Sequence, residues 1–327
     1  MLVAGIVKDP EPVADPSAAG AMAATLPVQV VSGHVAAASA SRWRGIALMA
    51  AGGLLFSLMG AMAKAASDTL PTFELVLFRS VVTWIVIELV RRQARVPLEF
   101  HGVPILLSRS IAGFIGVASY FYALRYIPLG DAVLLNNASP VLTTLGAVLL
   151  LGERMTVTKG VALAASMAGV WLLVGVHSTG MAAQGAWVGA ASAVASAWAL
   201  VSLKLATRRN RSLIVVWCLA AMCTLGSLPF YDSTWILPDT AREWALVTGT
   251  GATAAGAQLL MTMGYRLLDA SEASIYSYLN PVFAGLMGVL WFGDVPALAT
   301  WLGGALIVVA GGAVAWSERN RTATIAA

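Results

Sequence analysis

Two stretches of this chain place amides and prolines inside apolar runs: LLNNASPVL at 134–142 and YSYLNPVF at 276–283. Asparagine offers both a donor and an acceptor on one short side chain. Proline lacks the N–H that a helix gives to the carbonyl four residues back. Pro140 therefore withdraws the donor from the Asn136 carbonyl, and Pro281 withdraws it from the Ser277 carbonyl. Each stretch gathers amides, an under-bonded carbonyl and a bend point at one level of a helix. Lipid cannot satisfy such a notch, but a cavity holding a polar solute can. The candidate solute contacts are Asn136 and Asn137 in the first notch and Tyr276, Tyr278 and Asn280 in the second, with Pro140 and Pro281 as hinges. The competing reading is that these polar residues hydrogen-bond one helix to another.

Arg79 adds a charge to the same level. It lies seven residues into an apolar segment, roughly 10 Å below the membrane face at 1.5 Å per residue. An arginine at that depth is costly in lipid and faces a cavity or a partner, Glu74 being the nearest acid in sequence. Gln258 lies midway down its segment, and Tyr120 and Tyr122 lie near the end of theirs, where tyrosine also serves as an interfacial anchor. Arg109 is a weaker candidate, because its long stem can carry its head outward to the lipid headgroups. Asp131 and Glu272 open their segments, where a carboxylate caps free N–H groups; that role is preferred to solute contact. No acid falls at the midplane, so a proton-coupling carboxylate is not expected. His34, His101 and His177 sit in the tail or in loops without ligand spacing, so neither a metal nor an organic cofactor is expected.

The elements that hold these residues follow from composition. The chain is 59% hydrophobic and 11% charged, with a mean hydropathy of +0.80. Soluble domains carry about 25% charged residues, so this chain cannot coat itself for water and is read as a membrane protein. From Trp43 it divides into apolar segments at 43–64, 72–91, 103–124, 131–151, 157–176, 184–205, 212–230, 243–266, 272–292 and 297–316. Each is close to the ~20 residues that cross the hydrocarbon layer as a helix. Residues 1–42 are read as a disordered cytoplasmic tail and 317–327 as a second cytoplasmic tail. With the N-terminus cytoplasmic, the inner segments collect Lys8, Arg42, Arg44, Arg91, Arg92, Arg95, Arg154, Lys159, Lys204, Arg208, Arg209, Arg211, Arg266, Arg319 and Arg321. The outer loops hold Lys64, Arg125 and Arg242, an asymmetry that places both termini inside.

The chain also repeats itself. At an offset of 141, Arg125 meets Arg266, Ala132 meets Ala273, Pro140 meets Pro281, Val141 meets Val282, and Gly152 meets Gly293. Leu145, Val148 and Leu149 meet Leu286, Val289 and Leu290, and the acids Asp131 and Glu153 meet Glu272 and Asp294. The units are 43–176 and 184–316, with five segments each. Five is odd, so the second unit enters the membrane from the opposite side. The fold class is an all-α membrane protein, with ten transmembrane helices as two inverted five-helix repeats. That architecture points to alternating access around a midplane site.

The stretches FRS at 78–80, YALRYIPLGDAVLLNNASPVLTTLGAVLLLGERMT at 122–156 and YSYLNPVFAGLMGVLWFGD at 276–294 resemble the drug/metabolite transporter superfamily, EamA type. The resemblance covers about 43–316 and implies ten helices and a central solute pathway. Asp294 stands where the family usually has glutamate. The expected function is an inner- or plasma-membrane carrier for a small polar or amphipathic metabolite, an amino acid or related carboxylate-bearing solute. An intramembrane enzyme and a channel-like facilitator are the alternatives. An enzyme needs a nucleophile and base or a metal inside the membrane, which the segments lack. The expected partners are the solute and the bilayer, with no nucleic acid, and the chain is a monomer or homodimer. Gly185, Gly189, Ala193 and Ala197 form a small-residue stripe suited to packing within the chain. GTGATA at 249–254 lies inside an apolar segment and is read as helix packing.

Overall fold

A computed structural model describes residues 28–151, 155–177, 179–230, 235–268, 273 and 276–326. The described residues are helical, without strands. The first repeat contains α1 (Val28–Ala66), α2 (Thr72–Gln93), α3 (Val103–Tyr126), α4 in two pieces, α4a (Leu129–Asn136) and α4b (Ser139–Leu151), and α5 (Val157–Val176). The second contains α6 (Gly180–Ala206), α7 (Ser212–Ser227, continued by a 3-10 turn to Phe230), α8 (Ala241–Leu267), α9 (Leu279–Met287, continued by a π turn to Phe292) and α10 (Leu298–Ala326). Two boundaries move. Residues 28–42 are helical where a disordered tail was expected, and α10 runs on through Ala326; residues 1–27 lie outside the described residues.

Among the described residues, five helices are long and apolar enough on their own to cross a membrane: Arg42–Ala66, α3, α5, α6 and Ser212–Phe230. The others depart for reasons visible in the residues. Helix α2 carries Glu74, Arg79, Glu88, Arg91 and Arg92, and α4 and α9 are interrupted. The outward surface bears Leu54, Ile85, Leu107, Ile115, Trp171, Val194, Leu290 and Val309, all large, apolar and exposed. A bilayer covers such a belt; water would not.

Exchanging the repeats maps α1 onto α6, α2 onto α7, α3 onto α8, α4 onto α9 and α5 onto α10. Helix packing respects this exchange. Helix α3 packs on α6 as α8 packs on α1; α4 packs on α6 as α9 packs on α1; α3 packs on α7 as α8 packs on α2. The pairs α2–α7, α5–α10 and α4a–α9 map onto themselves. The core therefore lies between the repeats, around a pseudo-twofold axis.

Lipid tails are as apolar as leucine, so close backbone approach rather than water exclusion holds these pairs together. Gly116 faces Ser196 across α3–α6, and Gly52 faces the Ala257 carbonyl across α1–α8. Gly185, Gly189, Ala193 and Ala197 are all buried. Gly185 meets Tyr126, and Gly189 meets Ala123 and Leu135, so the stripe packs within the chain. In GTGATA, Gly249 meets Met62, and Gly251 meets Val82 and the Arg79 carbonyl.

Helix α4 breaks at Asn137, with φ −75° and ψ 4°. The equivalent residue at the 141 offset is Tyr278, which begins α9 with φ −72° and ψ −5°. Both interruptions lie three residues before the repeated prolines, where the helix ladder has lost its donor.

Gly169 and Gly303 set the α5–α10 crossing. A methyl added at Gly169 would stand 2.6 Å from the Gly303 carbonyl oxygen, and one at Gly303 would stand 2.8 Å from the Gly169 carbonyl oxygen. Gly160, on the same helix, has nothing within 4 Å. Gly169→Ala is expected to destabilise the protein by about 1–3 kcal/mol through backbone separation. Gly160→Ala is expected to leave stability equal or slightly raised, because alanine loses less entropy in a helix. Thermal unfolding of the two purified variants checks the contrast; equal melting points would remove the crossing from the account.

Candidate functional site

Where the two broken helices face the repeat axis, α1–α4 and α6–α9 enclose a cavity of about 160 Å³. Seven of the expected residues line it: Arg79, Tyr120, Asn136, Asn137, Pro140, Gln258 and Asn280. Tyr276, Tyr278 and Pro281 do not line it. The helix is interrupted at Tyr278, and both tyrosines are taken up by packing while Ser277 and Asn280 line the cavity. Tyr276 packs beside Met49, Leu268 and Ala273. Tyr278 is buried, with its hydroxyl against Gly311 of α10, where any Cβ would displace it. Pro281 is buried in packing, and Tyr122 stacks near Tyr126 outside the cavity.

Ser277, whose carbonyl loses its donor to Pro281, also lines the cavity, and two further polar lining residues, Ser196 and Tyr265, carried no sequence signal beyond their polarity. Arg109, read as the weaker candidate because it can snorkel, does not snorkel: it is 6% exposed and lines the cavity.

Both notches serve helix packing and the cavity at once. Asn136 Nδ2 donates to Ser192 Oγ (2.9 Å) and Ser196 Oγ (3.0 Å) on α6. Across the axis, Ser57 Oγ of α1 lies 2.8 Å from Asn280 Oδ1 and 2.9 Å from the Asn280 carbonyl. One serine-bearing helix therefore ties down each broken helix, α6 for α4 and α1 for α9. Asn137 Nδ2 donates to the Val133 carbonyl of its own helix (2.9 Å). The helix-joining role thus occupies Asn136 Nδ2 and Asn280 Oδ1. Asn136 Oδ1 and Asn280 Nδ2 make no hydrogen bond among the described residues, leaving an acceptor and a donor at the cavity.

The guanidinium of Arg79 stands over the Phe121 ring, 5.2 Å from its centroid, and the residue is 3% exposed. Its Nε and Nη1, and the Nε of Arg109, are buried without a hydrogen-bond partner among the described residues. Arg79 does not pair with Glu74, whose Oε1 accepts from the Ile236 N–H at 3.0 Å. No acidic residue is among the described residues lining the cavity.

One end of the bundle is closed by polar contacts, and the cavity stops short of them. Lys64 Nζ donates to the carbonyls of Ile127 (2.8 Å) and Leu124 (3.3 Å) at the end of α3. His177 Nε2 and Asp131 Oδ2 lie 2.7 Å apart, joining the end of α5 to the start of α4a. Asp131 was expected to cap α4, but Pro128 holds the N-cap position and Asp131 turns to His177 instead. The N-terminal N–H of Leu129 points at Asp294 Oδ2, 3.4 Å away. Gly293, at φ 67°, ends the π turn and returns Asp294 to that position, a conformation open to glycine at low cost. The repeated Gly–acid pair thus terminates one broken helix and places an acid at the start of the other. Gly152 and Glu153, the equivalents of Gly293 and Asp294, and Glu272, the equivalent of Asp131, lie outside the described residues.

With this geometry in view, comparison with known proteins is direct. The sequence pattern of the EamA-like transporter family matches residues 43–175 and 183–314, one copy per repeat. The pseudopaline exporter CntI of Pseudomonas aeruginosa is 35% identical to this chain, over 81% of it and 94% of that protein. The riboflavin transporter of Rhizobium johnstonii is 28% identical, over 66% of this chain and 71% of that one. A solved crystal structure superposes with a TM-score of 0.58 at 24% identity, covering 86% of this chain and 97% of the other, and shows the same fold. Two matched repeats, ten helices around a central cavity and relatives named as transporters rather than enzymes make the conclusion plain: this chain is a multi-pass membrane transporter and belongs to the EamA-like transporter family.

Proposed function

We propose that this chain carries a small organic solute bearing a carboxylate, an amino acid or related compound, across the inner or plasma membrane by alternating access. The observation that carries this reading is Arg79: a buried guanidinium on the cavity wall, with two nitrogens unpartnered and no acid lining the cavity among the described residues. A buried charge left alone is expensive, and a carboxylate offsets it with short, charge-assisted hydrogen bonds. Phe121, Tyr120, Asn136, Gln258 and Asn280 would contact the rest of the solute. A single copy encloses the cavity, so a monomer suffices. The lysine and arginine asymmetry puts both termini in the cytoplasm, and the end closed by Lys64, Asp131, His177 and Asp294 on the outside. The relative named as an exporter supports outward transport.

Counterflow in proteoliposomes tests the reading. Carboxylate-bearing amino-acid derivatives are expected to give saturable exchange, with Arg79→Gln weakening it at least tenfold, about the worth of a charge-assisted bond. Wild-type exchange in Arg79→Gln would remove the carboxylate from the proposal, and non-saturable flux would favour a channel-like facilitator.

Pro140→Ala and Pro281→Ala restore a ladder donor at each break. Both variants are expected to insert and fold but to turn over slowly, since the two halves of each broken helix would no longer move separately. Turnover at the wild-type rate in both would end the hinge role.

The absence of acids among the described lining residues leaves no proton site at the cavity. Facilitated diffusion or solute exchange is therefore expected, with an imposed pH gradient changing uptake little. Several-fold accumulation that collapses with a protonophore would overturn this, and its loss in Asp131→Asn would assign the coupling to the Asp131–His177 pair.

A further inference from the structure

We infer that the solute carries two anionic groups held apart, one for Arg79 and one for Arg109, rather than the single carboxylate of a simple zwitterion. This rests on the carrier reading above and narrows its substrate class.

Two cations share the cavity wall. Arg109 ends beside Gly113 and Leu219: an added Cβ at Gly113 would meet Arg109 Nη1 and the Leu219 side chain, both at 2.5 Å. Arg79 ends over Phe121. Gly113 and Phe121 are eight residues apart on α3, roughly 12 Å along the axis. The guanidinium groups thus mark two levels of one cavity. Neither has an ion-pair partner among the described residues.

The described acids nearby are engaged elsewhere. Glu74 accepts from the Ile236 N–H, Glu88 binds Arg91, Arg92 and Trp217, Asp131 binds His177, and Asp294 faces the start of α4a. Among the described residues the cavity wall therefore holds two positive charges and no acid, and the two charges repel each other. One carboxylate neutralises one of them and leaves the other buried alone. A zwitterion fares worse, because its ammonium group would find guanidinium groups and no carboxylate. A solute with two separated carboxylates neutralises both, and the aromatic rings of Phe121 and Tyr265 also line the cavity.

The test uses the purified full chain with straight-chain dicarboxylates of increasing length, the monocarboxylates of matching length, and leucine as the zwitterion. Binding is read by thermal shift and titration in the wild type, Arg79→Gln and Arg109→Gln. The wild type is expected to bind a dicarboxylate of optimal length at least tenfold more tightly than its monocarboxylate, the worth of a second charge-assisted bond. In Arg109→Gln that preference is expected to collapse, with monocarboxylate binding retained. The empty Arg109→Gln protein is expected to melt higher than the empty wild type, because an unpaired buried charge has gone; a purely structural arginine would move the melting point the other way. Equal binding of the two classes by the wild type, or a preference that survives in Arg109→Gln, overturns this inference alone. No binding by either class overturns it together with the carrier reading it rests on.

Discussion

The hydrocarbon core of a bilayer contains no water to receive a hydrogen bond. Every polar group placed there must find a partner inside the chain or stand at a cavity. Most of this protein's polar residues take the first course. Thr83, Thr143, Thr224 and Thr262 donate to the carbonyl four residues back, and Thr83 also reaches the Gly251 carbonyl across α2–α8. Asn210 ties its turn to both sides of His101. Glu88 is surrounded by donors at the end of α2. Against that background, the buried Arg79 and Arg109 nitrogens without a partner among the described residues carry charge, whereas unpartnered hydroxyls such as those of Ser110 and Ser166 are neutral.

The same constraint explains why the two broken helices stay in place. A break frees backbone groups that lipid cannot accept, so it is tolerated where another helix supplies partners. Helix α6 supplies Ser192 and Ser196 to Asn136, and α1 supplies Ser57 to Asn280. These tying helices are themselves equivalent under the repeat exchange. The cavity therefore forms where the two repeats meet, and a rocking of one repeat against the other would change its exposure without dismantling either notch.

Much of the architecture was legible in the residues. Apolar length and the 141-residue offset gave ten segments in two inverted units, and the paired prolines marked the level at which α4 and α9 break. Other features depend on spatial relations that a linear pattern does not carry. Tyr276 and Tyr278 looked equivalent to Asn280, but Tyr276 packs beside Met49 and Leu268 and Tyr278 against Gly311, neighbours that lie far away in the sequence. Pro140 and Pro281 are equivalent in sequence, yet the first lines the cavity and the second is buried. Arg109 had a long stem and a helix end within reach, so snorkelling was a fair alternative; the Gly113 gap that seats its head is contributed by the next turn of the same helix. His177 looked like a loop residue because its partner, Asp131, lies 46 positions away.

The most direct test of a solute cavity between the repeats is water access to its wall. Ala199 of α6 is buried against the cavity and small enough to replace with cysteine, in a background where Cys218 and Cys223 are serine. A membrane-impermeant thiol reagent is then added to one side of sealed vesicles at a time. The account predicts modification from the cytoplasmic side, slowed when a carboxylate-bearing solute is bound. A cysteine unreactive from both sides, or one whose modification the solute does not slow, would contradict it.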